Sequence, residues 1–61
     1  MRAKKILIID DDDRIRDIAA VALSKAGAGV ASAADGPEGL RQLESYQPDL
    51  VILDIGPCLV G

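Results

Sequence analysis

The residues of this 61-residue chain with most to offer chemically are aspartates that follow apolar runs. Asp10, Asp11, Asp12 and Asp13 come directly after Ile6-Leu7-Ile8-Ile9, and Asp54 comes directly after Leu50-Val51-Ile52-Leu53. Two buried parallel strands ending this way would aim their acids into one crevice. In open α/β sheets, the crevice at the carboxyl ends of the strands is where ligands bind. Clustered carboxylates there would hold a hard cation such as magnesium through oxygen. One of them could also act as a nucleophile toward phosphorus. The plain alternative is that Asp10–Asp13 cap a helix and complement its dipole, and that Asp54 only ends a strand.

The segments between these acids must position them. Lys4 to Ile9 is continuous, branched and apolar, as a buried strand is. Asp12 or Asp13 then offers an N-cap. Ile15, Ile18, Ala19, Ala22, Leu23 and Ala26 recur with helical spacing and predict one apolar face. Gly27 is a natural C-terminal stop. Val30 to Ala33 is a weak strand, because only Val30 has real strand propensity. Asp35-Gly36-Pro37 starts a second helix, with Pro37 suited to its first position and Asp35 serving as turn or cap. Leu40, Leu43 and Tyr46 are expected on its inner face, and Gly39 within it costs about 1 kcal/mol against Ala. Pro48 ends that helix. Asp49 to Leu53 forms a third strand. The alternation strand-helix-strand-helix-strand implies a parallel sheet with right-handed crossovers.

Composition removes several functions. The net charge of −3 disfavours nucleic acid and anionic membranes as partners. The longest apolar run, Ile18 to Leu23, is six residues, whereas a membrane span needs ~20. Met1-Arg2-Ala3-Lys4-Lys5 could open a signal peptide, but the apolar stretch after it is too short before it meets aspartate. The chain has no histidine, which excludes a Ser-His-Asp triad and most zinc sites. The single Cys58 has no partner for an internal disulfide and no histidine to activate it, so a reducing, cytoplasmic setting fits. No glycine-rich phosphate loop follows the first strand, which leaves nucleotide binding without support. Tyr46 reads as a packing residue at a helix end.

Taken together, three stretches resemble the receiver domain of two-component response regulators. They are Lys5-Ile6-Leu7-Ile8-Ile9-Asp10-Asp11-Asp12, Ala34-Asp35-Gly36, and Pro48-Asp49-Leu50-Val51-Ile52-Leu53-Asp54. Each is a weak signal, but in this order they are fairly specific. The resemblance implies that Asp54 is the phosphoacceptor and that Asp11 binds magnesium directly. Asp10 would act on the metal through water, and the backbone carbonyl of Gly56 would be a further ligand. It also implies a sensor histidine kinase as phosphodonor and a signalling module rather than an enzyme.

The resemblance has limits. Gly56-Pro57-Cys58-Leu59-Val60-Gly61 keeps only the Pro and the last Gly of the family's usual loop. Ala28 stands where an aromatic is common. Receivers have five strands and five helices, and the fourth-strand Ser/Thr and fifth-strand Lys that contact the phosphoryl group have no counterpart here. In-line transfer needs positive charge around the equatorial oxygens. Lys4 and Lys5 lie about 16–20 Å from Asp10 along the strand, at ~3.3 Å per residue. Arg14, in the first turn of the helix, is the expected local substitute.

The fold expected is therefore α/β, half of a flavodoxin-like doubly wound parallel sheet with strand order 2-1-3, residues 1–61 forming a truncated receiver-like domain. The third strand would be an open hydrophobic edge, which invites a homodimer. Two other functions fit the residues. One is a self-associating structural half-domain without signalling activity, and the other is a simple divalent-cation binder.

Overall fold

A computed structural model describes residues 3–54, residue 54 by its backbone alone. Five elements follow one another: β1 (Lys5–Asp10), α1 (Asp13–Lys25), β2 (Gly29–Ala33), α2 (Gly36–Tyr46) and β3 (Leu50–Asp54). The three strands form one sheet in the order β2-β1-β3, with both pairings parallel. This is the expected half of a doubly wound sheet.

Polar side chains set the helix boundaries. Asp12 is extended and accepts a hydrogen bond from the Arg14 N–H at 2.9 Å, which caps α1. Gly27, with φ of 96°, carries the chain out of α1 through a conformation that suits glycine. Asp35 caps α2 by accepting from the Glu38 N–H at 2.9 Å. The second helix begins at Gly36, one residue before the proline named as its first position, and ends on Gln47 in the left-handed region just before Pro48.

Both β1 and β3 run one residue further than their apolar runs, so Asp10 and Asp54 are the last rungs of the ladder rather than the first residues beyond it. Ile6, Leu7, Ile8, Ile9 and Ala33 form the buried apolar core. Side chains alternate across a strand, so burial of both the even and the odd residues of β1 requires cover on both sheet faces. The helices supply it separately. Each packs on β1 and β2, neither packs on β3, and they do not pack on each other.

Two expectations about helix faces are corrected. No residue of α1 is buried, and Ile15, Ile18 and Val21 are 46%, 67% and 56% exposed. The half-buried positions are Arg16, Ala19, Ala20 and Leu23, a face rotated from the predicted one. α1 carries two apolar stripes, and the sheet beneath it has one covered strip to receive them. In α2 the buried residue is Gly39, while Leu40 and Leu43 are 65% and 42% exposed. A Cβ on Gly39 would stand 2.5 Å from Ile9 Cδ1 and 3.1 Å from Ile9 Cγ1. The glycine that costs helix propensity therefore lets α2 sit directly on β1. Tyr46 is half-buried at the helix end, under Lys5 Nζ at 5.2 Å from the ring centre.

Candidate functional site

The site is built at the carboxyl end of the sheet, where the ladder pairs Asp10 with Asp54. Parallel pairing with β1 in the centre is what brings residues so distant in sequence to one rim. The side chain of Asp10 is 4% exposed, because α1 leaves the strand directly above it. Its Oδ1 accepts the Asp12 N–H at 2.9 Å, which folds the strand end into the helix start. Asp11 sits exposed in that turn, and Asp12 is spent on the cap. Asp13 lies in the first turn of α1, where a carboxylate is favourable to the helix dipole.

The positive charge at this rim comes from a residue that sequence reasoning passed over. Arg14 is 87% exposed at its side chain and stays beside its own cap, its Nε 3.6 Å from Asp12 Oδ1. Arg16 instead lies mostly covered, with 17% side-chain exposure. Its Nη1 donates to the Asp10 carbonyl at 2.7 Å and its Nη2 pairs with Asp13. The signal in the sequence was its position one helical turn past Asp12, on the half-buried face of α1. Lys5 is at the far end of β1, as expected. Its backbone N–H donates to Asp49 Oδ2 at 2.8 Å and its Nζ to the Tyr46 carbonyl at 3.1 Å.

The structure brings Asp10 and the backbone of Asp54 together and places Asp11 on the adjoining turn. Gly56 and Cys58 fall outside the described residues. Among the described residues, no three His, Cys, Asp or Glu side chains are grouped to hold a metal. The chemistry of the donors still suits a hard divalent cation. They are oxygen atoms throughout, and a carboxylate has about four lone-pair positions, of which the Asp12 N–H engages one at Asp10. Among the described residues no cation pairs with the buried Asp10 carboxylate.

A three-stranded parallel sheet with an acidic rim at its carboxyl ends defines an α/β module of the doubly wound type. Comparison with known proteins assigns it further: residues 6–56 match the response regulator receiver domain, and the chain belongs to that family. It is 44% identical over 50 residues to the transcriptional regulatory protein AfsQ1 of Streptomyces coelicolor, covering 82% of this chain and 22% of that one. It is 45% identical over 51 residues to the DNA-binding dual master transcriptional regulator RpaA of Synechocystis, covering 84% and 21%. It is 42% identical over 58 residues to the CAI-1 autoinducer sensor kinase/phosphatase CqsS of Vibrio cholerae, covering 95% and 8%. The chain thus spans about a fifth or less of the length of these curated relatives. Among the described residues no helix is long and apolar enough to cross a membrane.

Proposed function

We propose that residues 1–61 form a receiver unit that accepts a phosphoryl group on Asp54, in the cytoplasm, from a sensor histidine kinase. The observation that carries this reading is the pairing of Asp10 with Asp54 at the carboxyl rim, in a chain of the receiver family. A carboxylate oxygen of Asp54 attacks the phosphorus, and the bond from phosphorus to the donor's leaving atom breaks. The leaving group takes the electron pair and a proton, and an aspartyl phosphate remains. Asp10, Asp11, Asp54 and the Gly56 carbonyl would hold magnesium, which when bound neutralises charge on the transferring oxygens.

Among the described residues little positive charge is free to meet the transferring oxygens at the rim, which favours a slow reaction. Arg16 is committed to the Asp10 carbonyl and to Asp13, and Arg14 is turned to solvent. Incubation with magnesium and acetyl phosphate, followed by intact-mass measurement, tests the proposal. A gain of one phosphoryl group that is lost in Asp54→Asn supports it. An equal gain in Asp54→Asn refutes it.

A second reading, a self-associating unit without signalling activity, draws support from the exposure of Leu50, Val51, Ile52 and Leu53. Absence of phosphorylation together with concentration-dependent oligomers would favour it. Cation binding without phosphorylation would favour a simple divalent-cation binder.

A further inference from the structure

On its β2 side, the last residue of β1 is held by a side chain of α1 rather than by a neighbouring strand. The Gly29 N–H donates to the Lys4 carbonyl at 2.8 Å, and Lys5 is in register with Gly29. Backbone groups alternate sides along a strand, so the even-numbered residues of β1 turn theirs toward β2. The Asp10 carbonyl is one of these. The β1–β2 register ends at Ile9 with Ala33, so Asp10 lies one residue past the ladder on that side. A carbonyl on a residue only 4% exposed needs a donor.

Arg16 supplies it. α1 packs over β1 and β2, and its half-buried face carries Arg16 to this open position. Nη1 donates to the Asp10 carbonyl at 2.7 Å, taking the place of the next β2 N–H. Nη2 pairs with Asp13 in the first turn of α1. One planar guanidinium therefore joins the last residue of the strand to the first residue of the helix, a fork that a lysine ammonium does not reproduce. Between those anchors lie Asp11 and Asp12. A second bond, from the Asp12 N–H to Asp10 Oδ1 at 2.9 Å, spans the same turn, and Asp11 stands exposed in it.

Two carboxylates that share a cation must be set at a fixed spacing. If they are not set beforehand, binding has to supply the ordering entropy. We propose that Arg16 is a positioning residue for the metal site: by clamping the Asp10 carbonyl to Asp13 it fixes the 10–13 turn, so that Asp10 and Asp11 are preset to share one divalent cation. This role rests on the magnesium site proposed above.

The guanidinium acts on that cation in two ways of opposite sign. As a positive charge near the rim it repels the cation. As the group that orients the ligands it favours binding, and loss of such outer partners typically costs ~10–100-fold in metal affinity. The pairing with Asp13 offsets much of the charge, and solvent screens what remains. The orienting effect therefore dominates.

Calorimetric titration of the whole chain with magnesium chloride, at one ionic strength, separates the two. Arg16→Met removes a positive charge and should nevertheless weaken binding about tenfold or more. Arg16→Lys keeps the charge and loses the fork, and should also bind more weakly than the unsubstituted chain. Arg14→Met removes the same charge from an exposed position two residues earlier, and should leave binding unchanged or slightly tighter. Circular dichroism checks the fold of each variant. Nuclear magnetic resonance of the unsubstituted chain reads the clamp without any substitution, because the Arg16 guanidinium protons should exchange with solvent more slowly than those of Arg14. Binding that either Arg16 variant leaves equal or tightens overturns the proposal, and so does equally fast exchange at the two arginines. A chain that binds no magnesium overturns the proposal together with the metal site, while phosphorylation at Asp54 is read separately by mass.

Discussion

The contact between Gly39 and Ile9 offers a stringent check on how α2 is seated beside the site. Gly36 and Gly39 lie in the same helix, and replacing either by alanine gains up to about 1 kcal/mol of helix propensity. At Gly36 the new methyl meets nothing within 4 Å. At Gly39 it would stand 2.5 Å and 3.1 Å from two atoms of Ile9, a residue only 8% exposed. Overpacking of this kind costs roughly 1–3 kcal/mol. Gly36→Ala should therefore be neutral or stabilising. Gly39→Ala should be less stable than Gly36→Ala by about the overpacking cost. Because Ile9 precedes Asp10, the displacement should also disturb the rim. Urea unfolding followed by far-ultraviolet circular dichroism, with both variants at one protein concentration, gives the difference directly. Equal midpoints for the two variants would refute the packing of α2 on β1 described above.

Other substitutions probe the remaining parts. Leu7→Ala empties a fully buried site and should cost ~2–5 kcal/mol, which is comparable with the ~3–5 kcal/mol that a core this small supplies; circular dichroism should report an unfolded chain. Asp12→Ala removes the α1 cap at Arg14 N–H and should lower stability by about 1 kcal/mol in urea unfolding. Arg16→Met keeps the stem but loses the bond to the Asp10 carbonyl, and should cost roughly 1 kcal/mol, whereas Arg14→Met, at an exposed position, should be silent in the same assay. Asp10→Asn retains an acceptor for the Asp12 N–H but loses the charge, so magnesium titration by calorimetry should show weaker binding with the fold kept; unchanged binding would remove Asp10 from the metal site.

Much of this was legible in the residues. The apolar runs before Asp10 and Asp54 are short, branched and continuous, and they became β1 and β3. Asp12, Gly27, Asp35 and Pro48 marked helix ends because each acts on the backbone within a few residues of itself. That locality is why element order could be read in advance, whereas the strand order 2-1-3 came with the resemblance to receiver domains. The family was legible too, since its acids and turn lie at fixed distances along the chain.

Only the tertiary structure decided which stripe of α1 met the sheet, because two stripes are apolar and periodicity ranks neither. It decided that Gly39 is a point of close approach, since nothing near it in sequence reveals Ile9 across the layer. It turned Arg14 away and brought Arg16 to the Asp10 carbonyl, a matter of helix rotation against the strand. The chain's order of residues thus determined the segments and their ends, which depend on neighbours in sequence. The faces and the close contact depend on partners more distant in sequence, and folding alone chose among them.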